Sequence, residues 1–203
     1  ADYQVSKITK KEVRRYPAPP FTTSTMQQAA VNKLGFTSKK TMMLAQNLYE
    51  QGLITYMRTD SVNLALSSIN SVRDFIGKNL GKKYLPSQAR IYKAKSKNAQ
   101  EAHEAIRPTN ISLQSSDISR QPGLNRDHAK LYDLIWKRFL ACQIAEALLD
   151  QTTIDVIARS ETTKQSEKEI AALPSVARND GLYLLRVTGS VIKFDGWLKL
   201  YGK

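Results

Sequence analysis

Cysteine is almost missing from this 203-residue chain, where Cys142 stands alone. One thiol cannot close an intramolecular disulfide, so no disulfide framework holds the fold. Cys142 lies in the apolar run Phe139-Leu140-Ala141-Cys142, which predicts a buried thiol in a reducing compartment. Histidine is nearly as scarce. With only His103 and His128, and no tight carboxylate cluster, the donors for a zinc site are lacking. No apolar stretch has the length of a bilayer span, and no charged-then-apolar leader opens the chain, which turns the reading away from a membrane. Neither a GxGxxG fingerprint nor a P-loop is present, and no Asp-x-Asp-x-Glu run offers a magnesium site. Acid is also in short supply. Lys and Arg number 31 against 18 Asp and Glu, a net charge of +13, and such an excess favours a polyanionic partner such as nucleic acid.

What is present points to an ordered protein. Hydrophobic residues make up 41% of the chain, too many for a disordered segment. The opening ADYQVSKITKKE reads as a short strand with Tyr3 and Val5 on one face. RRYPAPPFTT, with three prolines, is an extended joint. The period then becomes helical. Ser24 or Thr25 is expected to cap a helix that runs to about Leu34, with Gln27 or Gln28 as reciprocal partner. Gly35 breaks it, Thr37 or Ser38 caps the next, and Gly52 ends that one. Two capped helices around a glycine turn resemble a helix-turn-helix. A third helix is expected over Leu64 to Leu80, with Ile69, Val72 and Ile76 on its apolar stripe, and a long one over Asp127 to Leu149. Between them, Gly81 to Gln100 carries six basic residues and no acid, with Tyr84 and Tyr92 interleaved, a pattern that suits either a solvated loop or a phosphate-tracking one.

Beyond the long helix the period becomes two. TTIDVIARS reads as a strand, and GLYLLRVTGSVIKFDGW as two strands turning at Thr188-Gly189-Ser190. Ser160 to Asp180 reads as a polar loop. Strand-like sequence at both ends and helical sequence between them predict an α+β fold. A helical, helix-turn-helix-like domain (16–143) is inserted into a β domain (1–15 and 144–203).

Two short stretches carry chemistry. In GLITYMRTDS, Leu53-Ile54-Thr55 reads as a strand that delivers Tyr56 and Arg58, and residues two apart in a strand share a face. A free phenol has a pKa near ~10 and is a poor nucleophile at neutral pH. A neighbouring cation favours the phenolate, and a guanidinium fork also grips phosphate oxygens. Tyr56 and Arg58 together therefore suit attack on a phosphodiester, with a covalent phosphotyrosine as product. The bland alternative is a half-buried tyrosine with its hydroxyl in water. In EAHEAIRPT, His103 can donate to a phosphate, while Arg107 can pair with a phosphate or with Glu104.

The two motifs together resemble the active-site signatures of the type IA DNA topoisomerases, on the bacterial topoisomerase I side. FTTSTMQQAA, LGFTSKKTMMLAQNLYE, GKKYLP, KLYDLIWKRFLACQ and FDGW extend the resemblance over nearly the whole chain. The resemblance implies that Tyr56 is the nucleophile and becomes joined to a 5′ phosphate. Arg58 would polarise the scissile phosphate, and His103 would contact phosphate near the break. Gln46, Glu50, Thr55, Thr59, Asp60 and Arg107 would shape the site or touch the strand. It implies single-stranded or underwound DNA as substrate, a β-rich arch around the helical domain, and a bacterial cytoplasmic, nucleoid-associated setting. It also implies a Toprim domain, absent here, that supplies a glutamate and the acids for Mg²⁺. This chain is thus expected to be a central fragment without a cofactor of its own, and not to relax DNA alone. The competing expectation is a non-catalytic basic helix-turn-helix module that reads duplex DNA.

Overall fold

The computed structural model describes residues 2–92, 103–159 and 182–202. The polar loop expected over Ser160 to Asp180 and the basic residues Lys93, Lys95 and Lys97 lie outside them. The fold is α+β. Its elements are β1 (Asp2–Arg15), α1 (Thr23–Leu34), α2 (Ser38–Glu50), α3 (Leu66–Asn79), α4 (Ser115–Ile118), α5 (Arg126–Ala141), β2 (Ala147–Arg159) and β3 (Leu182–Phe194). The chain forms two compact units. One comprises Ala1–Arg15 and Leu148–Phe194, the other Tyr16–Ala147 and Asp195–Lys203.

The first unit is a three-stranded sheet in the order β1-β2-β3, with β2 and β3 antiparallel. The hairpin expected at Thr188-Gly189-Ser190 does not form. Those three residues pair with Thr153, Thr152 and Gln151 in an unbroken ladder, so β3 is one long strand. Cross-strand chemistry explains why the chain runs straight there. Thr153 and Thr188 face each other with hydroxyls 3.2 Å apart, and Arg186 donates twice to Asp155 at 2.6 and 3.0 Å. Such facing pairs stabilise an extended ladder, and Gly189 has no positive φ to turn it.

The second unit is helical. Thr22, extended at φ −95°, caps α1 in a capping box with Thr25. The cap thus falls before the expected Ser24 or Thr25, because the extended proline joint ends at Thr22 and leaves its hydroxyl free to accept. Gly35 at φ 68° closes α1, with Phe36 N–H donating back to Ala30 O, and Thr37 caps α2 as expected. Gly52 at φ 69° closes α2 in the same way. Its N–H donates to Tyr49 O at 2.8 Å, and Leu53 N–H to Leu48 O at 2.9 Å. That turn sets the direction in which the chain leaves α2. On α3, Ile69, Val72 and Ile76 are buried as the stripe predicts.

Helix α5 stops at Ala141, eight residues short of the sequence expectation, and Ala147, Leu148 and Leu149 belong to β2. The apolar run there fits either period, and tertiary pairing decides it. Cys142 is fully buried, and burial pushes its thiol up to about 12. After β3, residues 196–201 form a 3-10 turn of the helical unit. Gly196 has φ 49°, and a Cβ there would lie 2.5 Å from Glu146 O, so only glycine fits the FDGW stretch.

The described part of the basic segment is built into this unit. Tyr84 is buried and its hydroxyl donates to Asp195 at 2.9 Å. Tyr92 Oη donates to Cys142 O at 2.9 Å, and Arg90 pairs with Glu146 at 2.7 Å. Those three side chains fasten the loop to the helices.

Candidate active site

The site forms where three segments meet: the end of the proline joint, the chain leaving α2, and the HEAIRPT loop. Two isolated bridges join them, Phe21 with Ile106 and Ile54 with Pro108. The strand expected at Leu53-Ile54-Thr55 is not a strand. Only Ile54 makes a bridge, and the chain bends on both sides of it. The side chains nevertheless alternate. Met57 is 1% exposed in the core, while Tyr56 and Arg58 on either side of it are exposed. Burying a methionine contributes roughly 1.5–3 kcal/mol, enough to fix this alternation without a ladder. Tyr56 and Arg58 therefore both face solvent, as the spacing predicted, for a different local reason.

The backbone around them is held by hydrogen bonds from their neighbours. On one side, Thr55 N–H donates to Arg107 O at 2.9 Å, Thr55 Oγ1 donates to Ala105 O at 2.7 Å, and Arg107 N–H donates back to Thr55 Oγ1 at 3.0 Å. On the other, Thr23 Oγ1 donates to Met57 O at 2.7 Å and accepts from Thr59 N–H at 2.9 Å. Thr59 is buried, and its hydroxyl accepts from Ser61 N–H at 3.0 Å. The two threonines thus clamp the Tyr56–Arg58 segment from both ends.

The HEAIRPT loop is fastened by Glu104. Its carboxylate accepts from Arg107 Nε and one terminal nitrogen, both at 2.8 Å, from Ala65 N–H at 2.8 Å and from Ser68 Oγ at 3.1 Å. Burial alone would raise this carboxyl, yet the hydrogen bonds from Arg107, Ala65 and Ser68 outweigh it and hold the group below its ordinary value. Arg107 also donates to Pro108 O at 2.9 Å. Between its two proposed uses, the structure gives Arg107 a carboxylate.

The exposed side chains behave differently. Among the described residues, none hydrogen-bonds to Tyr56 Oη, and none pairs with the Arg58 guanidinium or with Asp60, which is exposed. His103 meets Tyr56 ring to ring, centroids 6.3 Å apart at 35°. Gln46 and Glu50, on the last turns of α2, bond to each other at 2.7 Å rather than to Tyr56. Two residues of this neighbourhood were not singled out from the sequence. Thr23 is one half of the clamp. Tyr49 packs edge to face on Tyr56, centroids 5.2 Å apart at 65°. The signal for Tyr49 was its place in the last turn before Gly52, where the chain doubles back.

A phenol, a guanidinium and an imidazole left without partners on a clamped backbone make a site suited to an anion. Metal-type donors do not gather: among the described residues no group of three His, Cys, Asp or Glu could hold a cation. Likewise, no described helix is long and apolar enough to cross a membrane.

Comparison with known proteins agrees with this chemistry. The sequence model of the DNA topoisomerase family matches residues 1–203. The chain is 47% identical over 208 residues to DNA topoisomerase 1 of Rickettsia bellii, covering 98% of this chain and 23% of that protein. It is 48% identical over 199 residues to DNA topoisomerase 1 of Zymomonas mobilis, covering 98% of this chain and 14% of that protein. The solved full-length topoisomerase I of Thermotoga maritima superposes with a TM-score of 0.73 at 32% identity, over 99% of this chain and 30% of that one. The chain belongs to the bacterial type IA DNA topoisomerase family. It spans about a quarter, or less, of the length of these curated relatives.

Proposed function

We propose that this chain is the tyrosine-bearing part of a type IA topoisomerase and that Tyr56 is its nucleophile. Tyr56 Oη attacks the phosphorus of a single-stranded or underwound DNA. A new O–P bond forms to the 5′ phosphate, the bond to the 3′ oxygen breaks, and that oxygen leaves as a hydroxyl carrying a proton. Arg58 grips the non-bridging oxygens and steadies the charge that builds on them. His103 donates to phosphate near the break. Thr55 and Thr59 shape the site through the clamp, Arg107 through Glu104, and Gln46, Glu50 and Asp60 line the strand's approach. Reversal of the attack reseals the strand after another has passed.

In this reading the helical unit is a gate inserted into a β-rich arch formed by the sheet. The acids that hold Mg²⁺, and the glutamate for proton transfer, belong to a Toprim portion outside this sequence. No step here is routed through the metal. The reading places the complete enzyme with DNA in the bacterial cytoplasm, and the chain by itself should not relax DNA.

The single observation that carries the proposal is the pattern of partners. In one clamped loop every polar group but the phenol and the guanidinium beside it serves the fold, and those two are left for a ligand. The test mixes the chain with the Toprim portion of a bacterial relative, Mg²⁺ and a 3′-labelled single-stranded oligonucleotide. A covalent adduct on a peptide containing Tyr56 is expected, and none with Tyr56→Phe. An adduct that survives Tyr56→Phe would show another nucleophile. Preference for duplex with indifference to Tyr56 and Arg58 would favour a basic helix-turn-helix module instead.

A further inference from the structure

The clamp fixes the backbone of Tyr56 but not its ring. The ring is 39% exposed and its hydroxyl has no partner among the described residues, so its two torsions are free to sample rotamers. Two ring contacts restrain it. His103 lies 6.3 Å away and comes from a loop. Tyr49 lies closer, at 5.2 Å and 65°, in the edge-to-face arrangement that aromatic pairs prefer.

Tyr49 also stands on firmer ground. It occupies the last turn of α2, next to Leu48 with no exposed surface. The bonds from Gly52 N–H to Tyr49 O and from Leu53 N–H to Leu48 O close that turn at 2.8 and 2.9 Å. The same turn leads within a few residues to Tyr56, so one rigid corner carries both rings. Burial does not account for an aromatic here, since Tyr49 is 40% exposed. Its hydroxyl does not account for it either, having no partner among the described residues. What remains is the ring face turned to Tyr56.

We infer that Tyr49 is a positioning residue: its ring holds the Tyr56 phenol in the orientation from which the oxygen meets a phosphate. The inference rests on the reading of Tyr56 as nucleophile. A misplaced attacking atom costs rate rather than affinity, on the order of 10- to 100-fold.

The test is single-turnover cleavage of the 3′-labelled oligonucleotide by the chain mixed with the Toprim portion, alongside single-strand affinity by anisotropy and thermal melting. Tyr49→Ala should slow adduct formation roughly 10- to 100-fold while affinity stays within about twofold. Tyr49→Leu, which keeps apolar bulk and guards against a folding defect, should be slowed in the same range. Tyr49→Phe should restore the rate to within about threefold of the parent, because the ring and not the hydroxyl makes the contact. Parent-like rates for Ala and Leu would overturn the inference and leave the nucleophile standing. Affinity that falls as far as the rate would make Tyr49 a base-stacking platform and also overturn it, as would a Phe variant as slow as Ala. No adduct from the parent, or an adduct from Tyr56→Phe, would bring down the underlying reading instead.

Discussion

GLITYMRTDS and HEAIRPT lie against each other and have similar composition, each with an arginine, an acid and a hydroxyl. They treat those groups in opposite ways. In HEAIRPT the arginine and the acid find each other: Arg107 and Glu104 are joined by two 2.8 Å bonds with little of either side chain exposed. In GLITYMRTDS, Arg58 and Asp60 remain outside, and Tyr56 stands between two rings with its oxygen free. One loop is scaffold and the other is instrument. The hydrogen bonds between Thr55 and Arg107 connect the two, so the rigidity of one is lent to the other.

The sharpest way to break this contrast is to exchange the arginines' fates. Arg58→Ala should lower adduct formation by roughly 10²- to 10³-fold, as for loss of one donor to a developing negative charge, and should leave the melting temperature within about a degree. Arg107→Ala should do the reverse in kind. It strands a half-buried carboxylate, costs roughly 2–3 kcal/mol, and lowers Tm by roughly 5–10 °C in a unit of this size. If Arg58→Ala melts early and Arg107→Ala does not, the division of labour is wrong.

Acid should reveal the same contrast. The carboxyl of Glu104 titrates below its ordinary value in the folded chain. Its contribution to stability is therefore complete above the ordinary carboxylate range and is lost as pH falls through the lowered value. Melting scans from pH 7 down to pH 3 should show that loss in the parent and a flatter profile in Glu104→Gln, which should also cost roughly 1–2 kcal/mol at pH 7. Identical acid limbs would remove Glu104 from the account. The smallest effect is expected at the clamp itself. Thr55→Val removes one acceptor and one donor and should cost roughly 1–2 kcal/mol, read in a urea titration, with a few-fold slower cleavage. A neutral result there would mean that the two loops are not mechanically coupled.

Much of this arrangement was legible in the residues. Gly35 and Gly52 marked the helix ends because each needs a left-handed backbone, and Thr37 marked a start because its hydroxyl accepts from Lys40 N–H. Periodicity found α3 and its buried stripe. The Tyr56–Arg58 pair was found by spacing. What spacing could not show was the reason the pair faces outward, which is the burial of Met57 and not a strand. Short apolar runs misled where two periods fit, as at Ala147 to Leu149. Thr188-Gly189-Ser190 misled because turn-forming residues also sit in a ladder when Thr153 and Gln151 face them. Tyr49 and Thr23 escaped notice because their roles depend on contacts with residues 7 and 34–36 positions away.

The central claim is that Arg58 is offered to a phosphate and Arg107 is not, and side-chain NMR reads it directly. The Nε–H signals of both arginines are followed while a short single-stranded oligonucleotide is added to the chain. The account predicts that the Arg58 signal moves with occupancy, while that of Arg107, locked to Glu104, stays in place. Movement at Arg107 with a silent Arg58 would contradict it.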